Sequence, residues 1–137
     1  CESVDWQNGS SGSSARDRAM TIQALLDSDM KPEDFCRPGH VIPLRAQADG
    51  LLARTGHTEA IVDLCAMAGL YPGGALCEVV AANGDMARGV DLEAFATLYG
   101  IGIVSIDEVL AYRREQFDGR PLDAFAKTAK VWKKEVR

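Results

Sequence analysis

Three titratable side chains stand at positions where they could transfer protons: His40, His57 and Glu78. His40 follows a Pro-Gly turn at the start of a short apolar segment, and Glu78 interrupts the apolar run ALCEVV at residues 75–80. Burying a carboxylate without a partner is costly, so Glu78 is expected either to act as a general acid or base or to form a structural ion pair. An isolated histidine such as His40 is also compatible with an ordinary, partly buried side chain.

The segment RTGHTE at residues 54–59 combines several groups that bind anions. Arg54 supplies a guanidinium, Thr55 and Thr58 supply hydroxyls, and the first N–H groups of a helix carry partial positive charge. This combination suits a phosphate or a carboxylate. His57 within the segment is a candidate metal ligand or proton-transfer group. A simple capped helix start is the alternative interpretation.

A second candidate anion site is the Gly- and Ser-rich stretch QNGSSGSS at residues 7–14. Such a composition is typical of a flexible loop. Small residues also let backbone N–H groups approach a phosphate, and Ser10 and Ser11 would then line the cradle. Both interpretations stay open at the level of sequence.

Composition limits the classes of function. The formal net charge of -5 argues against nonspecific nucleic-acid binding, and we expect no nucleic-acid partner. No apolar run approaches the ~20 residues of a membrane span, and no secretory signal is recognisable, so we expect no membrane association. The four cysteines are scattered without a CxxC pair, which argues against a zinc knuckle or a disulfide scaffold and favours a cytoplasmic location.

Apolar periodicity predicts alternating helices and strands, which is typical of an α/β (α+β) protein with a mixed sheet flanked by helices. Ser13 or Ser14 should cap the first helix, and Asp91 and Asp107 should cap the third and fourth. The predicted helices cover residues 15–26, 57–68 and 92–99, a fourth after Asp107, and a C-terminal one within residues 118–137; the predicted strands cover residues 41–45, 75–80 and 101–106.

The motifs ARDRAMTIQALLD, PEDFCRPGHVIPLRA, RTGHTEAIVDLCAMAGL, ALCEVV and IVSIDEVLAYRR occur in an order that resembles the 3,4-dihydroxy-2-butanone 4-phosphate synthase family, from about Ser3 to Arg113. The resemblance implies a homodimer with sites near its interface. Residues 1–117 would be the C-terminal part of the synthase-like domain and residues 118–137 a helical extension. The family converts ribulose 5-phosphate to formate and dihydroxybutanone phosphate with Mg (or Mn). A phosphorylated or carbonyl-bearing small molecule is therefore the expected substrate.

The resemblance also implies residue roles. The GHT motif makes His57 the metal ligand, and His40 and Glu78 would be needed for catalysis. Ser10 and Ser11 occupy the position of a threonine-rich substrate segment. The implied substrate-binding segment near the helix start comprises Arg54, Thr55, Gly56, His57 and Thr58.

One departure from the family pattern concerns the metal site. The family's acidic loop, which supplies a carboxylate ligand to the metal, has no counterpart in this sequence. A companion chain carrying the N-terminal half would supply it, so we expect an oligomer or a two-chain enzyme. If Cys1 is a processed N-terminus, an alternative is a self-cleaved N-terminal-nucleophile amidohydrolase with Cys1 as the nucleophile. An arbitrary sequence boundary at Cys1, and a non-catalytic relative that binds a ligand or partner, are further alternatives.

Overall fold

The computed structural model describes residues 1–117, which form a small sheet and four helices. The α/β (α+β) class is thereby confirmed, and the predicted C-terminal helix lies outside the described residues. None of the helices described is long and apolar enough to cross a bilayer. The elements are β1 (Val4–Trp6), α1 (Ala15–Leu25), β2 (Phe35–Val41), α2 (His57–Met67), α3 (Val90–Tyr99) and α4 (Ile106–Phe117), with 3-10 turns at Pro32–Asp34 and Gly50–Leu52.

The sheet is an antiparallel pair of strands with a large irregularity in β2. Trp6 lies opposite Phe35 and Asp5 opposite Cys36, but Val4, which precedes Asp5 in β1, pairs with Val41. Residues 37–40 are therefore left out of the ladder, and such a bulge re-aims the side chains that it carries. The bulge places the backbone of Gly39 against Val4, as described below, and it presents His40 to β1.

Helix α1 covers the sheet and forms one of two small cores. Its N-cap is Ser14, as predicted, because the Ser14 hydroxyl accepts the N–H of Asp17 at 3.0 Å. Ala24 of this helix packs with Val4 and Phe35, which lie on the two strands. The α1 helix therefore fixes the position of the strands that carry the His40 bulge.

The second core joins α2 and α4 to the 3-10 turn Gly50–Leu52. Leu51 and Ala60 pack against Val109 and Leu110, and all four side chains are buried. The turn lies directly before the RTGHT segment, so this core positions the start of α2. Gly56 is the N-cap of α2.

The predicted N-caps of α3 and α4 are wrong. Gly89 precedes α3, which begins at Val90. Ser105 caps α4, because its hydroxyl accepts the N–H of Glu108 at 3.2 Å while Glu108 Oε2 accepts the N–H of Ser105 at 2.7 Å. This reciprocal pair is a capping box, and it starts the helix before Asp107.

The three predicted strands at residues 41–45, 75–80 and 101–106 are wrong for the described part of the chain. β2 ends at Val41, residues 101–105 form no strand, and Val80 makes only an isolated bridge to Met86. A strand needs a continuous hydrogen-bonding neighbour, and residues 1–117 offer these segments only the pairing of Val41 with Val4 and the bridge from Val80 to Met86. Their large apolar side chains are consequently exposed, with Val80 at 58% and Ile103 at 60%.

Candidate functional site

His40 lies on the bulge of β2 in direct contact with an aspartate of β1. Its Nδ1 is 2.7 Å from Asp5 Oδ2, and its backbone N–H donates to Asp5 Oδ1 at 2.9 Å. The His40 side chain is 48% exposed, whereas that of Asp5 is 14% exposed. The carboxylate is thus on the protein side of the pair and the imidazole on the solvent side. Sequence reasoning missed Asp5, because 35 residues separate it from His40 and no local pattern links the two.

The hydrogen bonds from His40 hold the pKa of Asp5 below its ordinary value. The backbone N–H of His40 is the largest cause and the imidazole the second. Gly12 also lies against this carboxylate: a Cβ there would be 2.1 Å from Asp5 Oδ2, and the φ of +78° favours glycine. The Gly- and Ser-rich loop therefore folds over Asp5.

Asp17 fixes the same loop from the other side. Ser10 Oγ donates to Asp17 Oδ2 at 2.7 Å, and the N–H of Ser10 donates to Asp17 Oδ1 at 3.2 Å. These bonds from Ser10 lower the pKa of Asp17, which is buried. Ser11 is exposed, with its Oγ 2.9 Å from that of Ser13. The substrate-binding role of Ser10 and Ser11 stays a prediction, and it would require Ser10 to release a carboxylate.

The start of α2 presents the predicted anion-binding groups to solvent. Arg54, Thr55 and His57 are exposed, and Thr58 is partly buried. Gly56 provides no side-chain cap, so the first N–H groups of the helix keep their capacity to bind an anion. No hydrogen bond or ion pair within residues 1–117 involves the His57 ring.

A buried carboxylate lies beneath this helix start. Glu59 Oε1 accepts the N–H of Gln47 at 3.1 Å and is 3.7 Å from Nη1 of Arg54. The Glu59 side chain is fully buried, and among the described residues its Oε2 has no partner. A Cβ at Gly56 would lie 2.6 Å from that oxygen. Glycine at this position thus lets Glu59 reach under the turn that carries Arg54. Sequence reasoning also missed Glu59.

The expectation that Glu78 is a buried carboxylate is wrong. Glu78 is exposed, because the segment around it has no neighbouring strand to cover it in the described residues. The Glu78 carboxylate is therefore not desolvated in this structure, and its role in catalysis stays a prediction from the family resemblance.

The predicted site residues are not joined by direct contacts. Across residues 1–117, no hydrogen bond or ion pair connects His40, His57 and Glu78. A cavity of about 470 Å³ runs along α1 beside Arg16 and Met30, and none of the predicted site residues lines it. Within the described residues, His40 and the α2 start therefore have no direct hydrogen bond or ion pair between them.

The described residues do not form a metal centre by themselves. No group of three or more His, Cys, Asp or Glu side chains in this part of the chain could hold a metal ion. His57 is a single imidazole, whereas Mg prefers several oxygen ligands. Cys1 is exposed, and it and the other three cysteines are free thiols.

Comparison with known proteins identifies similar sequences and structures. Residues 1–112 match the family model of 3,4-dihydroxy-2-butanone 4-phosphate synthase. A protein of that name from Agrobacterium fabrum is 51% identical over 111 residues, which are 80% of this chain and 52% of that protein. The chain therefore spans about half the length of this relative.

Two solved structures share the fold. A two-domain 3,4-dihydroxy-2-butanone 4-phosphate synthase from A. baumannii superposes with a TM-score of 0.78 at 44% identity, over 82% of this chain and 33% of that one. A synthase structure in complex with two magnesium ions gives a TM-score of 0.72 at 36% identity, over 87% of this chain and 61% of that one. These proteins support the synthase interpretation of the sequence and not the hydrolase one.

Proposed function

The chain belongs to the 3,4-dihydroxy-2-butanone 4-phosphate synthase family, and we propose that it supplies the C-terminal part of a site converting ribulose 5-phosphate to formate and dihydroxybutanone phosphate. Residues 1–117 are then the C-terminal part of the catalytic domain, and residues 118–137 are an extension of it. The supporting observation is the position of Arg54, Gly56 and His57 at the N-terminus of α2, where the helix start is open to an anion.

The substrate phosphate binds at the start of α2 in this proposal. Arg54 is 63% exposed, so its guanidinium can donate hydrogen bonds to an anion while Nη1 stays 3.7 Å from Glu59 Oε1. The N–H groups that follow Gly56 and the hydroxyls of Thr55 and Thr58 add donors, and the helix dipole favours negative charge. Enolisation of the sugar needs a base and an acid, and His40 and Glu78 are the candidates for these roles.

We propose that His57 contributes one ligand to a magnesium site whose oxygen ligands come from outside the described residues. The supporting observations are the two magnesium ions of the solved relative and the exposed His57 ring. The described residues do not fit magnesium by themselves, because they contain no group of three or more side chains that could hold a metal ion.

A companion polypeptide carrying the preceding half of the domain is part of the same proposal. The exposed apolar side chains of Leu76, Val80, Ile101 and Ile103 lie on segments that have strand-like sequences and lack a neighbouring strand among the described residues. Added strands would pair with these segments and cover the side chains. The assembled enzyme is proposed to be an oligomer, and the four free cysteines fit a reducing compartment such as the cytoplasm.

The test is formate release from ribulose 5-phosphate by this chain combined with the N-terminal half of the Agrobacterium relative, in the presence of Mg. The assembly should release formate, and the single variants His57→Ala and Glu78→Ala should each abolish release. Glu93→Ala, on the exposed face of α3, is the matched control and should retain full activity.

The alternatives give different results in the same assay. Full activity in either His57→Ala or Glu78→Ala would contradict the assigned roles. A non-catalytic relative would bind ribulose 5-phosphate without releasing formate. An amidohydrolase would lose amide turnover in Cys1→Ala while that variant kept any formate release.

A further inference from the structure

The contact between Asp5 and His40 depends on the backbone of three different segments. The register shift in β2 turns residue 40 back onto β1. Gly39 permits this approach, because a Cβ there would lie 2.1 Å from the carbonyl carbon of Val4. Gly12 permits the loop above it to close on Asp5, as described for the site. The fold therefore brings the two side chains together in one geometry.

The direction of the hydrogen bonds determines which imidazole nitrogen is available. Both oxygens of Asp5 point at His40: Oδ1 accepts the backbone N–H, and Oδ2 lies 2.7 Å from Nδ1. An ionised carboxylate can only accept, and the ordinary pKa of an aspartate already leaves it ionised at neutral pH. Nδ1 must therefore carry the proton, and in a neutral ring Nε2 is then left with its lone pair.

We propose that Asp5 is a positioning residue that holds His40 as the Nδ1–H tautomer, with Nε2 as the atom that accepts a proton from the substrate. When Nε2 takes that proton, the ring becomes an imidazolium whose positive charge faces the Asp5 carboxylate. The same carboxylate also keeps the ring from rotating. The use of Nε2 in turnover rests on the proposed function, whereas the tautomer does not.

The tautomer is measured by ¹⁵N NMR of the imidazole rings at a pH where both are neutral. The chain has two histidines, so His57 serves as an internal control. Wild-type His40 should show a protonated Nδ1. In Asp5→Asn the amide oxygen can keep the bond to the backbone N–H, and the NH2 group then faces Nδ1 and favours the Nε2–H tautomer. His57 should not change in this variant.

A wild-type Nε2–H tautomer, or an unchanged tautomer in Asp5→Asn, would overturn the proposal. Amide spectra of each variant show whether the fold is kept. Asp29→Asn, which alters an exposed carboxylate outside both candidate groups, is the matched control and should leave both rings as in wild type.

Kinetics of the two-part assembly test the consequence. Asp5→Asn should lower kcat by about 10²-fold or more with little change in KM, because a misplaced base loses proton transfer and not substrate binding. Asp5→Glu should recover part of kcat. If the wild-type assembly releases no formate, the proposed function fails while the NMR result still decides the tautomer. If it releases formate and Asp5→Asn keeps full kcat, the positioning role is wrong.

Discussion

The guanidinium of Arg113 on α4 donates to the carboxylate of Asp63 on α2, and both side chains are buried although 50 residues separate them. The same Nη1 donates to the carbonyl of Asp49 at 2.7 Å, and Asp63 Oδ2 also accepts the N–H of Leu51 at 2.9 Å. One buried ion pair therefore ties two helices to the turn that leads into the candidate substrate segment.

Replacing Arg113 by Met should strongly destabilise the chain, because it leaves Asp63 buried without its charge partner. Removing one member of a buried pair costs about 3–5 kcal/mol, to be measured as the free energy of unfolding in urea. Arg114→Met, at the exposed neighbouring position, should change the free energy of unfolding by no more than about 0.5 kcal/mol. A double variant, Arg113→Met with Asp63→Leu, should be more stable than Arg113→Met alone. Equal stability of wild type and Arg113→Met would contradict this role.

Gly50→Ala should destabilise the same region by a steric route. The φ of Gly50 is +55°, and a Cβ there would lie 2.1 Å from Asp63 Oδ1 and 2.6 Å from Arg113 Nη1. Gly84→Ala is the matched control, since its φ is +91° but no atom lies within 4 Å of the added Cβ. Backbone strain should lower the free energy of unfolding of both variants by about 1 kcal/mol or more. The decrease measured by urea unfolding should be clearly larger for Gly50→Ala. Equal losses would show that the ion pair tolerates the methyl group.

The sequence predicted helices better than strands, for a physical reason. A helix satisfies its hydrogen bonds within the segment, so the local pattern at α1 and α2 sufficed to locate both helices, including the cap Ser14 of α1. A strand needs a partner from elsewhere in the chain. The apolar run around Val80 has strand-like composition, but in the described residues it makes only one bridge.

The sequence predicted only those parts of the candidate site that consist of local motifs. The RTGHT segment was recognised at the start of α2, because its residues act within a few positions of one another. Asp5 and Glu59 were missed, since their roles depend on contacts across a bulge and beneath a helix start. Glu78 was expected to be buried because burial was inferred from its neighbours in sequence, whereas burial depends on what packs against them.

Acid should weaken the fold through Asp17. The pKa of Asp17 is lower in the folded chain than in the unfolded chain, where it is taken as 3.8. The ionised carboxylate therefore stabilises the fold above the unfolded pKa, and this stabilisation is lost as the pH falls through the folded-state pKa. Ser10→Ala removes the hydroxyl that is the largest cause of the shift. The carboxyl pKa, measured by ¹³C NMR titration, should rise toward its ordinary value, and the loss of stability below about pH 4 should become shallower. Ser28→Ala, at an exposed turn, is the control and should change neither the pKa of Asp17 nor the loss of stability in acid. An unchanged Asp17 titration in Ser10→Ala would contradict the role given to the Ser10 hydroxyl.

Gly56→Ala should weaken phosphate binding by separating Arg54 from the carboxylate beneath it. The added methyl group would lie 2.6 Å from Glu59 Oε2 and 3.5 Å from Arg54 Nε. The approach to Glu59 requires its carboxylate to shift, whereas 3.5 Å from Arg54 is ordinary contact, so Arg54 loses the ion-pair partner that orients it at the helix start. Losing one charge-assisted hydrogen bond corresponds to roughly tenfold weaker binding of ribulose 5-phosphate, or of inorganic phosphate as the simpler probe, in an NMR titration of the chain. Gly102→Ala adds a methyl group in open space and should bind like wild type. Wild-type affinity in Gly56→Ala would mean that the phosphate is held without Arg54 in this position.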